Sequence, residues 1–237
     1  MRPLGPLSTL LALTLFPGCI IHIDGGDWDG HAYQGDWSRP KLSGNGVAAS
    51  ETRSLDAFDA LQNDTLIDVS VKVGAEQSVV LRGDENLLGC VETVVRGGSL
   101  VVRMKPGQRY ELDEPLRLDV CVPSLRAYAA HGHGDARMVG LHGDTFALSV
   151  TGHGDARLEG EVEQLTISVN GHGDVDASEL VARRASITIT GHGDENAHVI
   201  EHLQASVTGS GDVRYRGNPS ASVSISGDGS IAPVPHR

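Results

Sequence analysis

Four histidines and five aspartates recur in this chain at a fixed spacing, and both residue types can do chemistry. Gly132-His133-Gly134-Asp135 returns as Gly152-His153-Gly154-Asp155, Gly171-His172-Gly173-Asp174 and Gly191-His192-Gly193-Asp194. Gly209-Ser210-Gly211-Asp212 and Gly227-Asp228-Gly229-Ser230 are degenerate copies. Imidazoles bind zinc at about 2.0–2.1 Å, and carboxylates can complete such a site. His133, His153, His172 and His192 are therefore candidate ligands for zinc or another divalent metal, with a solvent-facing polar column as the competing reading. The aspartates pose a different problem. At about 5 Å and an effective dielectric of about 20, two carboxylates repel by roughly 3 kcal/mol. Either a bridging cation offsets this, or each carboxylate accepts backbone N–H bonds at its own turn.

The elements that must position these groups follow from the same spacing. The leading glycines are 18 to 20 residues apart. A fixed period of that length means a solenoid, in which each coil buries its apolar side only by stacking on its neighbours. Before each motif runs an alternating segment such as Leu148-Ser149-Val150-Thr151 or Ile187-Thr188-Ile189-Thr190. Period-2 alternation with β-branched residues is the strand signal. The expectation is an all-β solenoid with about 18–20 residues per coil and glycine corners. Its structural residues are Gly132, Gly134, Asp135, Gly152, Gly154, Asp155, Gly171, Gly173, Asp174, Gly191, Gly193, Asp194, Gly209, Gly211 and Asp212. The outer face should carry three columns: hydroxyl or amide, histidine, and aspartate.

Composition agrees. The chain has 237 residues, 39% hydrophobic but only 4% aromatic, with 30 glycines, which suits a narrow core of Val, Ile, Leu and Ala. The net charge of −12 argues against nucleic acid and anionic membrane faces as partners.

Residues 1–18 read as an export signal: Arg2, then the apolar stretch 7–16, too short to remain across a bilayer. Leu15-Phe16-Pro17-Gly18-Cys19 resembles the lipobox of bacterial lipoproteins, which makes Cys19 the candidate lipidation site. Residues 19–46, rich in Gly, Asp and Trp, read as a flexible tether. The folded domain is expected over 47–233, with 234–237 as a tail. Within it, segments 66–73, 78–82, 91–95, 100–104 and 116–122 read as strands. Arg96-Gly97-Gly98-Ser99 reads as a hairpin turn. This less regular half should cap the solenoid, because end coils expose unpaired edges. Cys90 and Cys121 are candidates for a disulfide in an oxidising envelope.

Several segments together resemble a known family: 54–58, 67–71, 83–88, 91–93, 98–102, 120–125, the GxGD series, and Tyr215-Arg216-Gly217-Asn218-Pro219. They are similar to the autotransporter adhesin head, or GIN, domain. The resemblance implies a right-handed β-helix on an exported bacterial protein of the cell envelope, lipid-anchored at the outer membrane or cell surface. Family members usually carry serine or another small residue where this chain has its four repeated histidines. The expected function is a non-enzymatic, adhesin-like binding or structural module, with the membrane as partner through the lipid and a glycan or envelope protein as further partner. The alternatives are a metal-binding module and a polysaccharide-cleaving β-helix. The last needs unequal acids in a local cluster, whereas these acids repeat identically, with Arg137 and Arg157 repeating beside them.

Overall fold

The computed structural model describes residues 41–74, 76–111 and 116–234. The signal segment, Cys19, Trp28, Trp37 and most of the tether lie outside these residues. Strand β1 (Lys41–Ser43) falls inside the stretch expected as tether, so ordered structure begins before residue 47. It is followed by β2 (Ala48–Thr52), β3 (Ala60–Asp64), β4 (Asp68–Val73) and β5 (Ser78–Asp84). The one short helix among the described residues is α1 (Glu85–Leu88). The first half ends with β6 (Val91–Arg96), β7 (Ser99–Met104), β8 (Arg109–Glu111) and β9 (Arg117–Val122). The expected hairpin is present: β6 and β7 pair antiparallel, and Gly97 and Gly98 both take positive φ, 55° and 77°.

The second half is one parallel stack. It comprises β10 (Ala127–Gly132), β11 (Ala136–Gly152), β12 (Ala156–Gly171), β13 (Val175–Gly191), β14 (Glu195–Gly209), β15 (Asp212–Arg216), β16 (Ser220–Gly227) and β17 (Ser230–Pro233). Gly132, Gly152, Gly171, Gly191, Gly209 and Gly227 stand in register from coil to coil, so five turns separate the first from the last. The strands are longer than the alternating runs. Each of β11 to β14 also takes in the residues after the corner, and its pairing shifts at a bulge, such as that between Met138 and Leu141.

The core follows from the alternation. Leu148, Ile167, Ile187 and Ala205 form one buried column, and Val150, Val169, Ile189 and Val207 the next. Burying each such aliphatic side chain is worth about 1.5–3 kcal/mol. The residues between them point outward. At the N-terminal end β4 and β5 flank β9, the first parallel and the second antiparallel. The first half therefore continues the solenoid and closes it.

The glycines serve two different needs. Gly152 has φ +135°, and a Cβ there would lie 2.1 Å from the Gly132 carbonyl oxygen. Gly154 does not take positive φ, yet its Cβ would lie 2.3 Å from the Gly134 oxygen. The second glycine of each motif is thus required by the close approach of the coil below, not by backbone angle.

Cys90 and Cys121, the two candidates for a disulfide, are free thiols. Cys90 lies just before β6, whose partner is β7. Cys121 lies in β9, between β4 and β5. The two strands share no neighbour.

Candidate functional site: an axial groove beside the aspartate ladder

The three outer columns are present. The histidine rings of residues 133, 153, 172 and 192 stack with centroids 4.6, 4.9 and 4.8 Å apart and planes within 9° of parallel. This geometry does not assemble a metal centre. Two nitrogens on one zinc ion lie at most about 4.2 Å apart, from bonds of about 2.1 Å. Equivalent nitrogens in rings translated by 4.6–4.9 Å are farther apart, and their lone pairs lie in the ring planes, aimed across the stack. Among the described residues no group of three or more His, Cys, Asp or Glu is placed to hold a metal ion. The hydroxyl column runs Thr151, Asn170, Thr190, Thr208, Ser226. His131 precedes it in register, and its Nδ1 lies 2.7 Å from Asp64 Oδ1. That bond raises the His131 imidazole above its ordinary value. Partial burial pushes the Asp64 carboxyl up, but the bonds from His131 and Gln62 outweigh it and hold it below the usual carboxylate range.

The aspartates form a ladder between coils. Asp155 N donates to Asp135 Oδ1 at 3.0 Å, Asp174 N to Asp155 Oδ1 at 2.9 Å, and Asp194 N to Asp174 Oδ1 at 2.8 Å. Asp212 N continues the series to Asp194 Oδ1 at 3.0 Å, and Ser230 closes it on Asp212 through both its amide and its hydroxyl. Each carboxylate therefore accepts a backbone N–H, as the structural reading required, but the donor belongs to the next coil and not to its own turn. The ladder starts one coil earlier than the repeat suggested, at Asp68, whose Oδ1 accepts from Asp135 N at 3.1 Å. Hydrogen bonds to charged acceptors are the strong ones, and they offset the carboxylate repulsion without a cation. Replacing Asp155 by alanine strips the acceptor from the Asp174 amide and should lower stability by about 1 kcal/mol. Asparagine keeps an oxygen there and should cost less. Denaturant midpoints of the two variants check this ordering.

Beside the ladder runs a second outer column, two residues on in each strand: Asp119, Ser70, Arg137, Arg157, Asp176. Along the two columns lies a groove of about 560 Å³, whose lining also includes Arg117, Val69, Ala136 and Ala156. Its lining carries six aspartates (68, 119, 135, 155, 174, 176) and three arginines (117, 137, 157), a formal balance of −3. The polar groups are held in place. Arg157 Nη2 lies 3.0 Å from Glu179 Oε1, and Arg137 bonds Glu159. Arg82 Nε lies 2.7 Å from Asp119 Oδ2. Asp176 is pushed up by partial burial, but the Ser178 hydroxyl at 2.6 Å, the Ser178 amide at 3.1 Å and the charges of Arg157 and Arg216 outweigh it and hold its carboxyl low. A second hollow of about 320 Å³ shares Asp176 and adds Asn196, Arg214 and Arg216.

Sequence reasoning found Asp135, Asp155, Asp174, Arg137 and Arg157. It missed Asp68, Ser70, Arg117, Asp119 and Asp176. Asp68-Val69-Ser70-Val71 has the register of Asp135-Ala136-Arg137-Met138, a match that aligning the first half on the repeat would have shown.

The fold and groove define a capped β-solenoid that presents a polar channel along its axis. The chain belongs to the family described as "Putative auto-transporter adhesin, head GIN domain", whose model matches residues 57–219. This is an adhesin-like family of surface proteins, and the chain shares its fold with several solved structures. A "putative adhesin" from Bacteroides fragilis is 19% identical, with a TM-score of 0.68 over 81% of this chain and all of that one. A "putative lipid binding protein" from Parabacteroides distasonis is 21% identical, with a TM-score of 0.57 over 83% of this chain and all of that one. A "putative adhesin" from Parabacteroides merdae is 20% identical, with a TM-score of 0.51 over 82% of this chain and 99% of that one. No curated protein matches the chain.

Proposed function

We propose that this domain is a non-enzymatic binding module of the bacterial cell surface, tethered through a lipid on Cys19, and that its groove holds an extended neutral polysaccharide. The observation that carries this reading is the aspartate ladder (Asp68, Asp135, Asp155, Asp174) that repeats from coil to coil along the groove, with Arg137 and Arg157 on successive levels beside it. A ligand matched to it must itself be extended and repetitive, and a polysaccharide is both. Fixed carboxylate and guanidinium groups offer acceptors and paired donors to neighbouring hydroxyls. The surplus of aspartates disfavours an acidic ligand. The adhesin description of the family supports a role in surface binding.

The same lining argues against catalysis. Hydrolysis of a glycosidic bond needs one carboxyl held protonated beside one left ionised. Here Asp68, Asp135, Asp155 and Asp174 are equivalent, each engaged by the backbone amide of the next coil, while Asp119 is paired with Arg82 and Asp176 is held by Ser178. Among the described residues the one carboxyl with a strongly raised pKa, Glu195, is sealed in the core.

Calorimetric titration of a soluble neutral polysaccharide into the purified chain tests the proposal. Arg137→Ala and Arg157→Ala should each weaken binding about tenfold, the size of one hydrogen bond lost to a charged group. Their folding should be unchanged, because both side chains form only exposed ion pairs. Binding that ignores both substitutions would place the ligand elsewhere, and release of reducing ends would make the domain an enzyme.

A further inference from the structure

The two ends of the solenoid are unlike. At the C-terminal end β16 pairs with β14 on one side, and among the described residues it has no strand partner on the other. Its Val223 and Ile225 extend the core columns of Ala205 and Val207 by one coil. The two inner residues are 1% exposed, whereas Val223 is 52% and Ile225 45% exposed. The strand reads Ser220-Ala221-Ser222-Val223-Ser224-Ile225-Ser226-Gly227, with no charge and no proline. Those are the devices by which a free edge is normally protected from pairing. The opposite edge has them. Among the described residues β6 pairs only with β7, and it carries Glu92 and Arg96, with Glu92 in an ion pair to Arg103 at 2.8 Å. The last strand, β17, ends on Pro233, which has no N–H to donate.

We propose that the chain forms a two-fold symmetric dimer by antiparallel pairing of β16 with β16 of a second copy. The register is self-complementary. Val223 opposite Val223 of the second copy sets Ala221 opposite Ile225, so inward residues meet inward residues, and the core columns run on from one molecule into the other. The serines remain outside. Head-to-tail stacking is disfavoured, because it would set the uncharged strand against the charged β6 edge and leave exposed edges at the ends of a filament. The dimer also places two grooves on one particle, which strengthens attachment to a repetitive ligand.

Sedimentation equilibrium of the purified chain over a concentration series tests this. The wild type should approach twice the 25.0 kDa chain mass. Val223→Lys should sediment as one chain, with an unchanged circular dichroism spectrum and unfolding midpoint, since the side chain is half exposed in the single copy. A wild type that stays at one chain mass, as it would if residues 1–40 covered the edge, overturns the proposal. So does a dimer that survives Val223→Lys. Should that variant misfold, hydrogen exchange on the wild type decides: β16 amide protection must rise with protein concentration, and protection independent of concentration overturns the dimer.

Discussion

Replacing Gly152 by alanine should destabilise the domain by on the order of 3–5 kcal/mol, at the far end of single-substitution effects. Two costs combine at this residue. Its φ of +135° strains any residue with a Cβ. The added methyl would also stand 2.1 Å from the Gly132 carbonyl oxygen, which is itself fixed by the His153 amide at 3.0 Å. Backbone held by an inter-coil hydrogen bond cannot give way cheaply. Two neighbours separate the costs. Gly143 has φ +127° and nothing within 4 Å of an added Cβ, so Gly143→Ala should cost about 1–2 kcal/mol for backbone strain alone. Gly154→Ala meets crowding without positive φ. Guanidinium unfolding should rank Gly152→Ala as the most damaging of the three. Equal midpoints for Gly152→Ala and Gly143→Ala would show that the coils separate freely and that close stacking is not what selects glycine here.

Glu195 gives the opposite sign. It occupies the column Ala136, Ala156, Val175, Glu195, Val213, in which every other member is apolar. The residue is 1% exposed, and neither carboxylate oxygen has a hydrogen-bond partner among the described residues. Burial pushes its pKa up to about 8, from an ordinary 4.5. Below pH 4.5 the carboxyl is protonated in both folded and unfolded chains and costs nothing in linkage. From pH 4.5 to 8 the unfolded chain ionises while the folded chain must keep its proton, so stability falls by about 1.4 kcal/mol per pH unit. The loss is complete above pH 8 and on the order of 5 kcal/mol. Glu195→Val, which restores the residue type found at Val175 and Val213, should raise stability at pH 8 by several kcal/mol and leave it little changed at pH 4. Wild-type and variant unfolding curves at the two pH values test this. A difference that does not grow with pH would mean that Glu195 is ionised in the fold and is paired there.

What was legible in the sequence was whatever repeats within one coil. Leu148, Val150 and their successors alternate strictly with serine and threonine, so the core columns and the 18–20 residue coil could be read directly. β3 and β10 could not be read. Ala127, Tyr128, Ala129 and Ala130 are all buried, so the alternation that announces a half-exposed strand is missing. Relations between coils were hidden for a different reason. Asp155 looks like a residue that caps its own turn, and only the stacked register reveals that it accepts from Asp174. The second glycine of each motif likewise answers to the coil beneath it. The groove was half visible. Asp135 and Arg137 repeat in sequence, but Asp119 and Arg117 come from a strand outside the GxGD period and reach the same wall only through the pairing of β4 with β9. Glu195 was in plain view as an acid where other coils have Ala or Val. The repeated histidines drew attention as ligands, yet the straight stacking that aligns them also sets their rings too far apart to share an ion.

The most direct test of the groove as a binding face is affinity against ligand length. The groove spans five levels, from Arg117 to Asp174, which is about 19 Å at a coil spacing of about 4.8 Å. Neutral oligosaccharides of increasing length should bind with rising affinity until the chain fills those levels and then level off, and Arg137→Ala with Arg157→Ala should flatten the rise. Affinity that is independent of length, or a rise untouched by the two substitutions, would contradict an axial groove as the site.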